Sequence, residues 1–93
     1  MENKKPTRFK PSEIRELLKK QNFKCFLTGR ELTPDNVEAE HIIPINQGGK
    51  HEVENLCLII DSLRELKRYR SPEEIISIAR NIIKTFKDKK YDN

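Results

Sequence analysis

The longest apolar run in this chain is five residues, Leu56-Cys57-Leu58-Ile59-Ile60, and that run bounds the fold before anything else does. A membrane-spanning helix needs about 20 consecutive apolar residues, so none is expected. A run of five between Asn55 and Asp61-Ser62 reads instead as a short buried strand. At 93 residues the chain holds one domain. Apolar residues supply 34% of it and charged residues 37%, so the core around that strand is thin. Leu, Ile, Val and Phe nevertheless stay above the roughly 20% below which charged chains remain disordered. The start, Met1-Glu2-Asn3-Lys4-Lys5-Pro6, leads into no apolar secretory segment, and an intracellular, cytoplasmic location is the expectation. Cys25 and Cys57 match neither a disulfide framework nor a zinc pair, and read as half-buried thiols.

Charge alternates along the chain. Residues 1–24 hold eight Lys/Arg and three Glu, residues 25–62 hold two Lys/Arg and seven acids, and residues 63–93 hold nine Lys/Arg and five acids. Basic flanks therefore enclose an acidic centre. Charge alone reads as solvated faces, and only chemistry in the centre turns the flanks toward a polyanion.

Residues 1–10 read as a flexible basic arm, 11–88 as the domain and 89–93 as a frayed tail. Ile14, Leu17 and Leu18 recur at helical spacing and predict a helix over about 12–22. Cys25-Phe26-Leu27 is a short strand candidate, and Pro34-Asp35-Asn36 marks a turn. A strand is predicted from Val37 to Ile43, ended by Pro44, then a loop through Gly48 and Gly49, then a second strand from Leu56 to about Ile59. Ser62 and Glu65 read as a capping box for a helix over about 62–69. Ser71-Pro72-Glu73-Glu74 repeats that logic for a last helix to about residue 86, whose stripe Ile75, Ile78, Ala79, Ile82 and Phe86 is expected to be core.

The chemistry gathers in the centre. His41 is the side-chain type that accepts a proton near neutrality, and Glu40 before it suits a hard divalent cation. Neighbours on a strand point to opposite faces, so the chain must bend or end there for both to serve one site. The spacing Glu40-His41-x-x-Pro44, Gly48-Gly49, then Asn55-Leu56 resembles the HNH nuclease family, the ββα-metal group. The matching segment, residues 25–68, covers about half the chain. The resemblance implies an α+β fold, with a small ββα-metal centre over about 37–69 between an N-terminal and a C-terminal helix. It implies hydrolysis of phosphodiester bonds, in DNA ahead of RNA, with one divalent cation, Mg2+ or Mn2+. By it, His41 is the general base, Glu40 a metal ligand, Asn55 the residue that holds the loop and aims His41, and His51 a loop or phosphate contact. Arg15, Lys19, Lys20, Lys24, Lys50, Arg64, Lys67 and Arg68 are the expected nucleic-acid contacts, with a homodimer or a protein partner also open and no membrane partner.

Two departures stand out. Thr28, Ile60 and Leu63 occupy places where many relatives carry zinc-binding cysteines, so no structural zinc is expected and an apolar contact takes its place. Arg64 occupies the position that normally completes the metal site, and a guanidinium has no lone pair to give. Three readings stay open: Asp61 or Glu65 supplies the missing oxygen; Arg64 itself contacts phosphate while Glu40 alone holds the metal; or the domain is an inactive nucleic-acid-binding or accessory interaction module.

Overall fold

The five-residue apolar run forms one strand of a two-stranded antiparallel sheet. In the computed structural model, which describes residues 8–88, β1 spans Val37–His41 and β2 spans Leu56–Ile60. All five β2 residues are buried, as a run without alternation requires. The register sets Val37 opposite Ile60, Glu40 opposite Cys57 and His41 opposite Leu56.

Three helices complete the α+β fold. The first, α1 (Pro11–Lys20), opens on Pro11, and the Lys10 N–H donates to the Glu13 carboxylate at 2.8 Å. Its Ile14, Leu17 and Leu18 pack on a core of Cys25, Leu32 and Cys57–Ile60. Beyond α1 the Gln21 side-chain amide behaves as a strand residue would. It accepts from the Leu58 N–H and donates to the Leu58 carbonyl, both at 3.0 Å, so a side chain closes the outer edge of β2.

Cys25-Phe26-Leu27, a strand candidate in the sequence, is a turn. The Gly29 N–H donates back to the Cys25 carbonyl at 2.9 Å, curling the segment on itself, and among the described residues its one main-chain hydrogen bond to β2 runs from the Phe26 N–H to the Leu58 carbonyl. Both thiols are free and more deeply buried than the sequence implied. Burial pushes the Cys57 thiol up to about 12. Cys25 moves the other way: burial raises its pKa, but bonds from the Thr28 hydroxyl and the Ile60, Thr28 and Leu27 backbone outweigh it. The apolar contact expected in place of zinc does form, since Ile60 joins the Cys25 cluster and Leu63 packs against it.

Past β2 the chain makes a 3-10 turn, Asp61–Leu63, and then α2, Arg64–Arg68. The Ser62–Glu65 capping box does not form. The tight turn begins directly at the strand end, where the Asp61 N–H is held by the Asn36 carbonyl at 2.7 Å, and Leu63 stands at the helix start with no side-chain cap. The second box is present: the Glu74 N–H donates to the Ser71 hydroxyl at 3.2 Å and the Ser71 N–H to the Glu74 carboxylate at 2.7 Å. Helix α3 then runs Pro72–Asp88.

Its apolar stripe is not core. Ile75 and Ile78 are half-buried, whereas Ile82 and Phe86 are 51% and 46% exposed. The reason is length. Seventeen residues extend about 25 Å, so α3 alone is about half the 52 Å length of the molecule. No helix among the described residues is long and apolar enough to cross a membrane. The expected tail, 89–93, and the first seven residues of the expected arm lie outside the described residues. The end of that arm is placed, with the Phe9 ring 4.6 Å from the His51 ring.

Candidate functional site

The loop between the strands is built by Asn55. Its Oδ1 accepts from the Ile43 N–H at 2.9 Å, and its Nδ2 donates to the carbonyls of Ile43 at 3.0 Å and Lys50 at 2.9 Å. Its own carbonyl accepts from the Ile42 N–H at 2.8 Å. One amide thus ties the end of β1 to the far side of the loop. Pro44 is fully buried, and Ile45–Gln47 forms a 3-10 turn where only loop was expected. Gly48 closes that turn at φ 92°, a left-handed conformation that L side chains resist. Gly49 is required for a different reason. A Cβ there would overlap the Ile43 carbonyl and lie 2.9 Å from the Asn55 amide nitrogen. Gly49→Ala is expected to destabilise the fold by about 2–3 kcal/mol, the range for overpacking against atoms that cannot move aside. Gly48→Ala should cost about 1–2 kcal/mol from conformation alone. Urea midpoints of the two variants check the order.

The strand ends at His41, and both of its last two residues border one cleft. Glu40 and His41 line a cleft of roughly 340 Å³ with Ile45, Asn46, Arg68 and Tyr69. His41 Nε2 lies 2.9 Å from His51 Nδ1, so one ring donates to the other. Burial, then the neighbouring His51 and Lys67, hold the His41 pKa below the ordinary histidine value and favour its neutral form. Glu40 is half-buried, and its carboxylate makes no hydrogen bond or ion pair among the described residues. Burial raises its pKa, opposed by the charges of Arg68, Lys67 and Arg64.

The expected cations separate into groups. Lys67 is no surface phosphate contact: it is wholly buried, and its ammonium donates to the carbonyls of His41 at 2.5 Å, Ile42 at 2.7 Å and Arg70 at 2.8 Å. All three donors are used. Arg64 reaches across to Glu38, 4.0 Å away, while Arg68, one helical turn on, lines the cleft beside Glu40. Arg15, Lys19, Lys20, Lys24 and Lys50 are exposed and do not line the cleft. The proposed substitutes for the missing ligand are not there either. Asp61 follows Ile60, which pairs with Val37, so the stretch of β2 from Cys57 to Ile60, roughly 10 Å, already separates it from the level of Glu40. Glu65 is exposed and outside the cleft.

Sequence reasoning missed Asn46 and Tyr69 as cleft residues, and Gln47, whose side-chain amide donates to the Tyr69 carbonyl at 3.1 Å and the Glu74 carboxylate at 2.8 Å. No periodicity marks them. Gln47 lies directly before the paired glycines, which is the only local signal it carries.

A divalent cation has a thin protein donor set here. Among the described residues no group of three or more His, Cys, Asp or Glu could enclose a metal. An unpartnered, half-buried carboxylate in an open cleft still fits Mg2+, which keeps most of its waters and binds through one or two carboxylates plus a substrate phosphate. Glu40 is that carboxylate. No family model matches the chain, and no curated protein matches it.

Proposed function

We propose that this chain is an HNH-type nuclease with a ββα-metal centre, hydrolysing phosphodiester bonds of DNA with one divalent cation. The observation that carries this reading is the meeting of Glu40 and His41 in one cleft, at a strand end tied down by Asn55. His41 takes the proton of the attacking water. For that, His41 must donate from Nε2 to His51 Nδ1, which leaves the lone pair on its own Nδ1. Lys67 holds the His41 main chain through its carbonyl, so the base enters the reaction already placed. Arg68 offers two parallel donors to phosphate oxygens and offsets charge that builds on them. Of the three readings of Arg64, this geometry favours Glu40 as the sole protein ligand, with the phosphate-contacting arginine at 68. Glu40 would hold the cation, which when bound would supply charge stabilisation at the phosphoryl oxygens.

The test is supercoiled plasmid incubated with Mg2+ or Mn2+. Nicked circles are the expected product, abolished by chelator and by Glu40→Ala, and reduced about tenfold or more in Arg68→Ala. No cleavage of DNA or RNA under any divalent cation, with salt-dependent binding retained, would make the domain an inactive binding module. A gain of cleavage in Arg64→Asn would return the second ligand position to residue 64 and overturn the assignment to Glu40 alone.

A further inference from the structure

One side of α3 is exposed to solvent. Ile76, Ile82 and Ile83 are 49%, 51% and 60% exposed. Ile76, Ala79 and Ile83 share one side of the helix at spacings of three, four and seven, with Ile82 along one border of it and Glu73, Arg80, Lys84 and Lys87 along the opposite border. We infer that α3 pairs antiparallel with α3 of a second copy of this chain, about a two-fold axis near Ala79 and Arg80, and that Ile76, Ile82 and Ile83 form the contact.

Charge selects this occupant and this orientation. The first turn of α3 is acidic, with Glu73 and Glu74, and its later turns are basic, with Lys84 and Lys87. In an antiparallel pair like edges face each other, so Glu73 of one copy lies against Lys87 of the other, twice by symmetry. A parallel pair would bring the two acidic first turns together. Arg80 meets its counterpart near the axis, at the rim, where both guanidinium groups stay in water. Ala79 at the centre lets the two backbones approach. The exposed isoleucine surface amounts to a few hundred Å² per copy, below the roughly 800 Å² per partner of a standard stable interface, so the dimer is weak and concentration-dependent. The pairing uses none of the chemistry assigned to His41.

Sedimentation of the full chain from about 1 µM to about 1 mM tests it. A reversible monomer–dimer equilibrium is expected, weakened about tenfold or more by Ile83→Glu with helix content unchanged. Glu73→Lys and Lys87→Glu should each weaken it about threefold to tenfold, and the double variant should restore it, because the pair is reversed and not lost. A chain that stays monomeric throughout overturns the inference, as does a dimer indifferent to Ile83→Glu. Failure of the double variant to recover rejects the antiparallel arrangement. A monomer that instead binds anionic lipid vesicles through the same isoleucines assigns the face to a membrane surface and overturns the pairing.

Discussion

Replacing Lys67 by methionine is expected to cost about 3–5 kcal/mol of stability, out of the roughly 5–15 kcal/mol typical of a single domain. The size follows from what the ammonium touches. It donates to three carbonyls, those of His41 and Ile42 at the end of β1 and of Arg70 just beyond α2. Methionine fills similar volume but donates nothing, leaving those carbonyls to find water in a place closed to it, at about 1–3 kcal/mol for each one stranded. Arginine should not rescue the fold, because a planar guanidinium cannot aim three donors at acceptors gathered around a point. Urea titration followed by circular dichroism reads the loss. A Lys67→Met variant within about 1 kcal/mol of wild type would show that the three bonds contribute no net stability.

His41→Ala is expected to lower plasmid cleavage by about 10²–10⁴-fold, the range for removing a positioned general base. The fold should hardly notice. The imidazole is only half-buried and its hydrogen bond runs to an exposed neighbour, His51, so melting should shift by no more than a few degrees. That contrast with Lys67 separates chemistry from scaffold: one variant folds and does not cut, the other fails because it does not fold. His51→Ala should retain His41 but lose the hydrogen-bond partner of its Nε2, with a smaller loss of rate. Cleavage that persists in His41→Ala at the wild-type rate would remove His41 as the base.

What could be read from the sequence was local. Ser71, Pro72 and Glu74 form their cap because all its parts lie within four residues, and the chain needs no distant information to close it. Asn55 was legible through spacing, since its amide serves a loop bounded by Pro44 and Gly49. Lys67 was not. In the run Arg64–Arg70 it has the same local pattern as its exposed neighbours, and only the packing of α2 on β1 turns it inward. Asp61 looked like a ligand because it lies close to Arg64 in sequence, but an antiparallel register decides which end of the sheet it occupies. The isoleucines of α3 show how far periodicity reaches: it identifies the apolar side of a helix and is silent on what covers it. Cys25-Phe26-Leu27 shows the same limit for short runs, which read alike in a strand and in a turn.

The Gln21 contact has a consequence for behaviour in concentrated solution. Leu56–Ile60 combines β-branched and apolar residues without charge or proline, the composition of segments that recruit identical copies into fibrils. Such recruitment starts from unpaired main-chain groups at a sheet edge. At Leu58, the midpoint of the segment, both groups are already bonded to the Gln21 amide, and the Phe26 N–H adds a second donor to the carbonyl. The most self-associating stretch of the chain is thereby blocked at its centre by a residue from the end of the preceding helix, a gatekeeper that acts from outside the strand it guards.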